Sequence, residues 1–580
     1  MLQYTMAGMR RKMPRRLASI QNNERVMGIG PTISSLARKR CTTQLHPHIA
    51  ILWKFGYNCK YMKTVVLCIL DGFGIGRKTQ GNPMREVGTP TFDWIKSHFP
   101  YFGLQASGIA VGLPWGDVGS SEIGHLSLGT GRIVYQNYPK ITMAVRDGRF
   151  AKNAVLAQAL AHAKASGRLH LIGMVSSAKT HAALEHVGAL LAAAHDAGIM
   201  HVFIHVVTDG QDALPQQGKE TVAELARMCV HAGTGTIASV SGRHYAMDAN
   251  AYWDRTERFV KLLIQGGRAA ASVDTLFDVS YKRGITDAVI EPQMVGDAQS
   301  VPSQTLQEGD TVIFFNFRED GLAQTSRALC AQDFSSFVIK RPNDVAYVSM
   351  TQYGVLPDQN VMFPREAIAN SLSQVLADRG MRQVKLTESM KEDLLAYHFN
   401  GLRREPFQNE HRIIVPSERK AGLAPVQLQG ETVVTRLFEA LDERIYDCII
   451  VNFPQLDAAG HQTDYERGKQ AVMYVDGLVN RIAKATLDAD IPMIITSDHG
   501  NIEQMFDPAT GVPDTRHNDN PVPCMLVGKQ WYREKTESEI LFGEREVRGS
   551  LADVAPTVLD LLSVPVPRDM TGQTLAKPFS

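Results

Sequence analysis

Ile491-Pro492-Met493-Ile494-Ile495-Thr496-Ser497-Asp498-His499-Gly500-Asn501 decides the reading of the fold: an apolar run closes on a carboxylate, an imidazole and a glycine turn. A short Ile-rich run of this kind reads as a buried parallel strand that delivers two side chains at its carboxyl end. In open α/β sheets that end is where ligands bind. An Asp-His pair after a strand is, taken alone, more often a loop turn or a cap. Here the placement recurs. Val65 to Leu70 (VVLCIL) runs into Asp71-Gly72-Phe73-Gly74, and Cys448 to Phe453 (CIIVNF) leads to Asp457, with His461 four residues on. Three strand ends that each offer a carboxylate or an imidazole make a metal-type constellation.

At 580 residues the chain is long enough for two or three domains. Its apolar and charged fractions, 44% and 21%, are those of a soluble globular protein. It has no apolar run of about 18 residues, so no membrane span is expected. The seven cysteines (41, 59, 68, 229, 330, 448 and 524) are scattered, odd in number and free of any CxxC pair. That pattern indicates a reducing, cytoplasmic compartment and excludes a disulfide framework. The net charge of +1 hides an asymmetry: residues 1–63 carry 12 Lys+Arg against the single acid Glu24, so the body is mildly acidic. That body has no basic stripe interleaved with aromatics, and nucleic acid is not an expected partner.

The leader 1–63 is Arg-rich and acid-poor. It reads as a mitochondrial-type targeting peptide, as a disordered extension, or as sequence upstream of a true start at Met62. From Thr64 onward short apolar runs alternate with amphipathic ones, the pattern of an α/β protein. A helix is expected near Thr89 to His98, and a helix-opening turn at Gly119-Ser120-Ser121-Glu122. A second series, about 140–355, has expected strands at Leu169 to Val175, His201 to Val207, Thr236 to Val240, Thr311 to Phe315 and Val345 to Met350. Between them lie helices at His181 to His195, Lys219 to His231 and Ala251 to Gln265. Pro357 to Pro364 has the composition of a linker, and Glu431 to Glu443 carries an apolar stripe of Val433, Val434, Leu437, Phe438 and Leu441. Asp71 precedes the second series and its partners follow it, so one domain is expected to be discontinuous with the other inserted into it.

The carboxylates and imidazoles on offer are Asp71, Asp457, His461, Asp498, His499 and His517. Asp457 and His461 have the spacing that brings two side chains to one helical face. Mixed oxygen and imidazole ligands favour Mn²⁺, Co²⁺ or Zn²⁺ over Mg²⁺. Two close cations suit in-line phosphoryl displacement, which also needs a hydroxyl nucleophile. Ser121 is the candidate, because its Gly-flanked turn opens a helix whose N–H groups can face a phosphate. The competing reading makes Ser121 an N-cap.

From Thr64 to Leu575 the sequence resembles the cofactor-independent phosphoglycerate mutases of the alkaline phosphatase superfamily. The resemblance rests on LDGFG (70–74), SEIGH (121–125), LSLGTGRIVYQ (126–136), SVSGRHYAMD (239–248), FFNFR (314–318), NGLRREPF (400–407), SDHGN (497–501), NPVPCMLVG (520–528) and LADVAPTVLDLL (551–562). It implies a two-domain α/β fold: a metal-binding phosphatase-like domain, 64–136 plus 366–580, interrupted by a transferase domain, 137–365, that binds substrate. It implies one metal site at Asp457, His461 and His517, and a second at Asp71, Asp498, His499 and the nucleophile Ser121. It further implies two divalent ions, Mn²⁺ first with Co²⁺ or Mg²⁺ as alternatives, no need for 2,3-bisphosphoglycerate, and a monomer acting on a small phosphorylated substrate. Lys391 would neutralise the transferring phosphoryl group, His181 would bind it and Asp212 would exchange a proton with the glycerate hydroxyl. Arg243 and Arg318 would hold the substrate.

The sequence departs from the family pattern at the acceptor side. The motif DGRD reads Asp209-Gly210-Gln211-Asp212, the second arginine of SGRxYAMDR is Ala249, and the second arginine of FRxDR is Gly321. The loop SDGGVH reads Ser176-Ser177-Ala178-Lys179-Thr180-His181, and Ser120 replaces the usual Asn. Hydrogen bonds to charged groups contribute roughly 1.5–3 kcal/mol each, so three uncompensated losses amount to ~5–9 kcal/mol. Lys179, Arg146 and Arg255 are the cations available to compensate. The alternative activity is phosphate-ester hydrolysis, or a mutase reaction on another phosphorylated molecule.

Overall fold

The computed structural model describes residues 64–76, 81–365, 367–417 and 426–577; the basic leader and its targeting reading lie outside them. Among the described residues the strands are, in chain order, β1 (Val65–Leu70), β2 (Tyr101–Gln105), β3 (Arg168–Val175), β4 (His201–Thr208), β5 (Thr236–Gly242), β6 (Ala269–Ala270), β7 (Gln293–Val295) and β8 (Thr311–Phe314). They continue with β9 (Ala346–Ser349), β10 (Gln383–Glu388), β11 (Glu410–Val415), β12 (Cys448–Phe453), β13 (Met493–Thr496), β14 (Val522–Val527) and β15 (Val547–Ser550).

The strands form two sheets. One runs β11-β10-β12-β1-β13-β14-β2-β15 and the other β6-β7-β5-β4-β3-β8-β9. All six residues of β1 and of β12 are buried. A strand without alternation is stable only where both its faces are covered, and that places it in the middle of a parallel sheet. Accordingly β1 lies between β12 and β13, parallel to both, with Val65 opposite Cys448 and Val66 opposite Met493. Every strand of the second sheet falls between Arg168 and Ser349, and every strand of the first falls outside that stretch. One α/β domain thus interrupts another, and each has its own apolar core.

One expectation needs correction, and one competing reading falls. Within the stretch read as a linker, Val361 and Met362 are buried, and the Met362 and Phe363 N–H groups donate to the Ser349 and Met350 carbonyls. Its prolines exclude a regular helix, yet its apolar residues extend the edge of β9. Ser121 is not the cap either. It is the first residue of helix Ser121–Thr130, and the Ser120 hydroxyl takes the N-cap role by accepting from the Ile123 N–H. The Ser121 hydroxyl is thereby released for other partners.

The two chain crossings converge on one carboxylate. Asp569 accepts from Arg132 at 2.8 Å on the outgoing segment and from the Asn370 amide at 3.1 Å on the returning one. Arg132 also donates to the Ala369 carbonyl.

Candidate active site

The carboxyl ends of β1, β12 and β13 meet in the first sheet. Asp71 follows β1 directly, and Gly72 follows at φ +76° with a hypothetical Cβ 2.8 Å from the Asp457 Cα, so no larger residue fits this turn. Asp457 lies on the short helix Gln455–Gly460 after β12, with His461 at that helix's end. Asp498 and His499 follow β13, and His517 arrives from the loop before β14. All seven expected positions gather here. Ser121 Oγ is 2.9 Å from His499 Nε2 and 3.3 Å from Asp71 Oδ1. His461 and His517 Nε2 lie 3.2 and 3.4 Å from Asp457 Oδ1 and 3.0 Å from each other. His499 stands between the two expected ligand sets, 3.5 Å from Asp71, 3.6 Å from Asp498 and 3.8 Å from Asp457.

The orientation of the imidazoles tests whether cations suit this cluster. His461 Nδ1 lies 2.8 Å from the Thr515 carbonyl, His517 Nδ1 3.0 Å from that of Gly119, and His499 Nδ1 3.3 Å from that of Gly500. A carbonyl only accepts, so each ring donates from Nδ1 and, when neutral, presents a lone pair at Nε2. Three such lone pairs converge on carboxylate oxygens, and the buried Asp498 Oδ2 accepts no hydrogen bond, the nearby His125 Nδ1 being spent on the Ser121 carbonyl at 2.9 Å. The donor set fits divalent cations with mixed N/O coordination. The ligand atoms lie close enough for one group at Asp457, His499 and His517 and another at Asp71, His125 and Asp498.

The electrostatics agree. Burial works against the charge on Asp457, but whenever no cation is bound, protonated His461 and His517 rings donating to it and the Lys391 charge hold its carboxyl well below the usual range. Asp498 is likewise buried and is held low by His499 and His125. Burial also opposes charge on His499, yet Asp498, Asp71 and Asp457 lift it to about 9. Lys391 Nζ is 2.7 Å from Asp457, 3.2 Å from Asp71 and 3.2 Å from Ser121 Oγ. Against burial, the Asp71, Asp457 and Asp498 carboxylates raise its ammonium above the ordinary lysine value, so it stays charged.

A second polar cluster occupies the carboxyl edge of the inserted sheet. Arg243, following β5, donates from Nη1 to Asp209 and Asp212, both at 2.7 Å, and its Nη2 lies 3.1 Å from His181 Nε2. His181 is buried in the loop after β3, and burial, Arg243 and Arg318 push its pKa down. Asp209 closes the turn after β4 by accepting from the Gln211 and Asp212 N–H groups. Arg318, after β8, is half exposed and pairs with Asp320 at 3.1 Å.

Comparison with known proteins follows the same division. The family described as BPG-independent PGAM N-terminus matches residues 141–355, and the family described as type I phosphodiesterase / nucleotide pyrophosphatase matches residues 375–534. A 2,3-bisphosphoglycerate-independent phosphoglycerate mutase of Moorella thermoacetica is 39% identical over 519 residues, covering 88% of this chain and 98% of the relative. The chain belongs to this mutase family. A relative from Methanosarcina acetivorans, 2,3-bisphosphoglycerate-independent phosphoglycerate mutase 1, is 37% identical over 88% of this chain and 98% of its own. Among solved structures, Leishmania mexicana phosphoglycerate mutase at low cobalt concentration matches with a TM-score of 0.58 at 26% identity, over 89% of this chain and 98% of that one. The interrupted architecture is therefore the family's alkaline-phosphatase-like domain with its inserted α/β domain.

Within this mutase family the three departures differ in kind. Gln211 and Ala249 are exposed, whereas Gly321 is buried. A Cβ at Gly321 would lie 2.3 Å from Met247 Cε and 3.2 Å from His181 Nδ1, so Met247 occupies the space a longer side chain would need. Of the compensating cations, Arg255 is already bound to Asp248 at 3.1 Å and stacked over Tyr252. Arg146 is exposed at the end of helix Asn137–Arg146. Lys179 is half exposed, at φ +54°, with Tyr138 Oη at 3.3 Å and Glu185 at 3.6 Å.

Three contributors escaped sequence reasoning. His125, one helical turn after Ser121, directs Nδ1 at Asp498 Oδ2, 3.1 Å away. Asn452 donates to Asp71 Oδ2, and Asn501 donates to Asp457 Oδ1. The i,i+4 spacing from Ser121 could have revealed His125. Nothing local marks Asn452, which is one residue of an otherwise apolar strand.

Proposed function

We propose that the chain interconverts 3-phosphoglycerate and 2-phosphoglycerate without 2,3-bisphosphoglycerate, through phosphorylation of Ser121. The observation that carries this reading is the Ser121 hydroxyl, left free by the Ser120 cap and held within 3.3 Å of Asp71, His499 and the Lys391 ammonium. Asp457, His461 and His517 would hold one divalent ion, and Asp71, Asp498, His499 and Ser121 the other, Mn²⁺ being the preferred metal. When bound, such ions lower the pKa of the hydroxyl and offset charge on the transferring phosphoryl group.

The Ser121 oxygen gives its proton to water and attacks phosphorus as the bond from phosphorus to O3 of glycerate breaks, and O3 takes up a proton relayed from water through Asp212. Lys391, charged and adjacent to Ser121 Oγ, stabilises negative charge on the phosphoryl oxygens. Glycerate then reorients. Its O2 attacks the phosphoserine as the bond from phosphorus to Ser121 Oγ breaks, the O2 proton passing to Asp212 and the released Ser121 oxygen taking one from water. His181 and Arg243 are joined to Asp212 in one cluster, which suits them to hold the substrate, with Arg318 beside them.

The domain boundaries that fit this chemistry are 64–136 plus 366–580 around 137–365, supported by strand membership in the two sheets. Among the described residues no helix is long and apolar enough to cross a membrane, and the cysteine pattern supports a cytoplasmic enzyme. An enolase-coupled assay of the purified protein with Mn²⁺ and no bisphosphoglycerate tests the proposal: 2-phosphoglycerate formation without phosphate release is expected. Phosphate release alone would replace it with a hydrolase.

A further inference from the structure

Lys385 is a fully buried lysine in the third position of β10, outside the set of groups around Ser121. Its ammonium donates to the Leu395 carbonyl at 3.1 Å, to the Asn400 side-chain oxygen and to Glu410 Oε1 at 3.3 Å, so all three N–H bonds have acceptors. The Phe399 ring lies 5.3 Å away. Glu410 in turn accepts from Arg412 at 2.7 Å, from the Asn400 amide and from the Phe407 N–H. Arg412 reaches the Ala396 carbonyl at 3.2 Å.

Four of these bonds, from Lys385 to Leu395 and Asn400, between Asn400 and Glu410, and from Arg412 to Ala396, tie the sheet to one segment, Leu394–Asn400. Its core, Leu394–His398, is a π-helical turn closed by the Phe399 N–H on the Leu394 carbonyl at 2.8 Å. An isolated π turn is a costly geometry, kept where neighbouring groups over-determine it and frequently found at functional sites. Upstream, the turn Ser389–Lys391 carries the ammonium that lies 3.2 Å from Ser121 Oγ. On its other side, Phe399 packs on the nucleophile's own helix so closely that a Cβ at Gly129 would lie 2.0 Å from the Phe399 carbonyl oxygen. Lys391 and Ser121 are thus both referenced to one short stretch of backbone, which the lysine–glutamate pair fastens to β10 and β11.

We propose that Lys385 is a positioning residue, which with Asn400 and Glu410 clamps the π turn and thereby sets the distance between the Lys391 ammonium and the Ser121 hydroxyl. Stability alone is a poor reason for this lysine, since a buried ion pair is often no more stable than a well-packed apolar pair. Burial pushes its pKa down to about 8, with Glu410 opposing that fall and Arg412 reinforcing it. The charge is retained at a cost, and what it holds is backbone geometry.

This inference rests on the role given to Lys391 above, and the test separates the two. Lys385→Met, Lys385→Arg, Asn400→Ala and Lys391→Ala are made in the full chain with Mn²⁺, and Lys385→Met and Asn400→Ala are each also combined with Lys391→Ala. Lys385→Met and Asn400→Ala are expected to lower kcat at least tenfold while KM for 3-phosphoglycerate and bound metal change less than twofold, and Lys385→Arg is expected to restore most of the loss. In the Lys391→Ala background neither change should lower kcat further, because the group they position is gone. Asn400→Ala keeps the experiment decisive if Lys385→Met does not fold. A drop in thermal stability with kcat intact, or an equal loss in both backgrounds, would overturn the positioning role and leave Lys391 untouched. Full activity in Lys391→Ala would overturn both.

Discussion

The Ser121 hydroxyl is useful because its neighbour absorbs the structural duty. With Ser120 capping the helix, Ser121→Ala removes no cap bond, so folding and metal content should persist. kcat should fall by at least ~10³-fold, as for the loss of a nucleophile. Coupled-assay rates alongside metal analysis check both halves of that expectation. At Gly321 an arginine would have to displace the end of the Met247 side chain, whose Cε lies 2.3 Å from the Cβ position. Gly321→Arg should destabilise the protein by about 1–3 kcal/mol through overpacking, without tightening substrate binding. A denaturant titration together with KM measures it. The sequence made Asp457 and His461 legible because one helical turn separates them. It left His125 and Asn501 dark, because their contribution lies in long-range contacts, an ion pair of His125 with Asp498 Oδ2 and a hydrogen bond from Asn501 to Asp457 Oδ1.

Periodicity located the strands and helices that an apolar pattern can mark, and it erred where two kinds of order share one composition. The stretch 357–364 has a linker's prolines, yet it buries Val361 and Met362. The antiparallel placement of β14 beside β13 and β2 left no mark in the sequence, since a fully buried strand reads the same in either direction. The inserted sheet also holds a polar seam. His170 Nε2 meets Asp310 at 3.0 Å, its Nδ1 meets His205 at 2.9 Å, and His205 Nδ1 meets Ser239 Oγ at 2.8 Å, across β8, β3, β4 and β5. Burial holds His205 well below the ordinary value and lowers His170, with Asp310 opposing in both cases. His186, in the helix after β3, is pushed down to about 4 by burial. A depressed folded-state value means the unfolded chain takes up protons first. The stability these groups provide is therefore complete above about pH 6.5 and declines as pH falls below it, for His186 down to about 4. For His186 alone the loss is roughly 3 kcal/mol. Chemical denaturation at pH 7, 5.5 and 4.5 should show the midpoint falling, and His186→Gln should flatten the dependence.

The whole molecule joins two cores of different character. Its metal-type ligands all belong to the interrupted domain, while the inserted domain has a core of its own and a cluster of Arg243, His181 and Asp212. Chelation should therefore abolish activity and lower the thermal midpoint of one domain. Calorimetry of the full chain should show a transition that rises with Mn²⁺ and another that does not respond. A uniform shift of a single transition would mean that the domains unfold as one. The order of the strands carries a last consequence. β1 sits at the middle of its sheet, yet both its neighbours, β12 and β13, come from the far end of the chain. On the ribosome, Val65–Leu70 must wait for Cys448 to be made, a delay on the order of 20–80 s at ~5–20 residues per second. During that time the inserted domain can fold while the most apolar strand of the nascent chain remains unpaired, a natural handle for a chaperone.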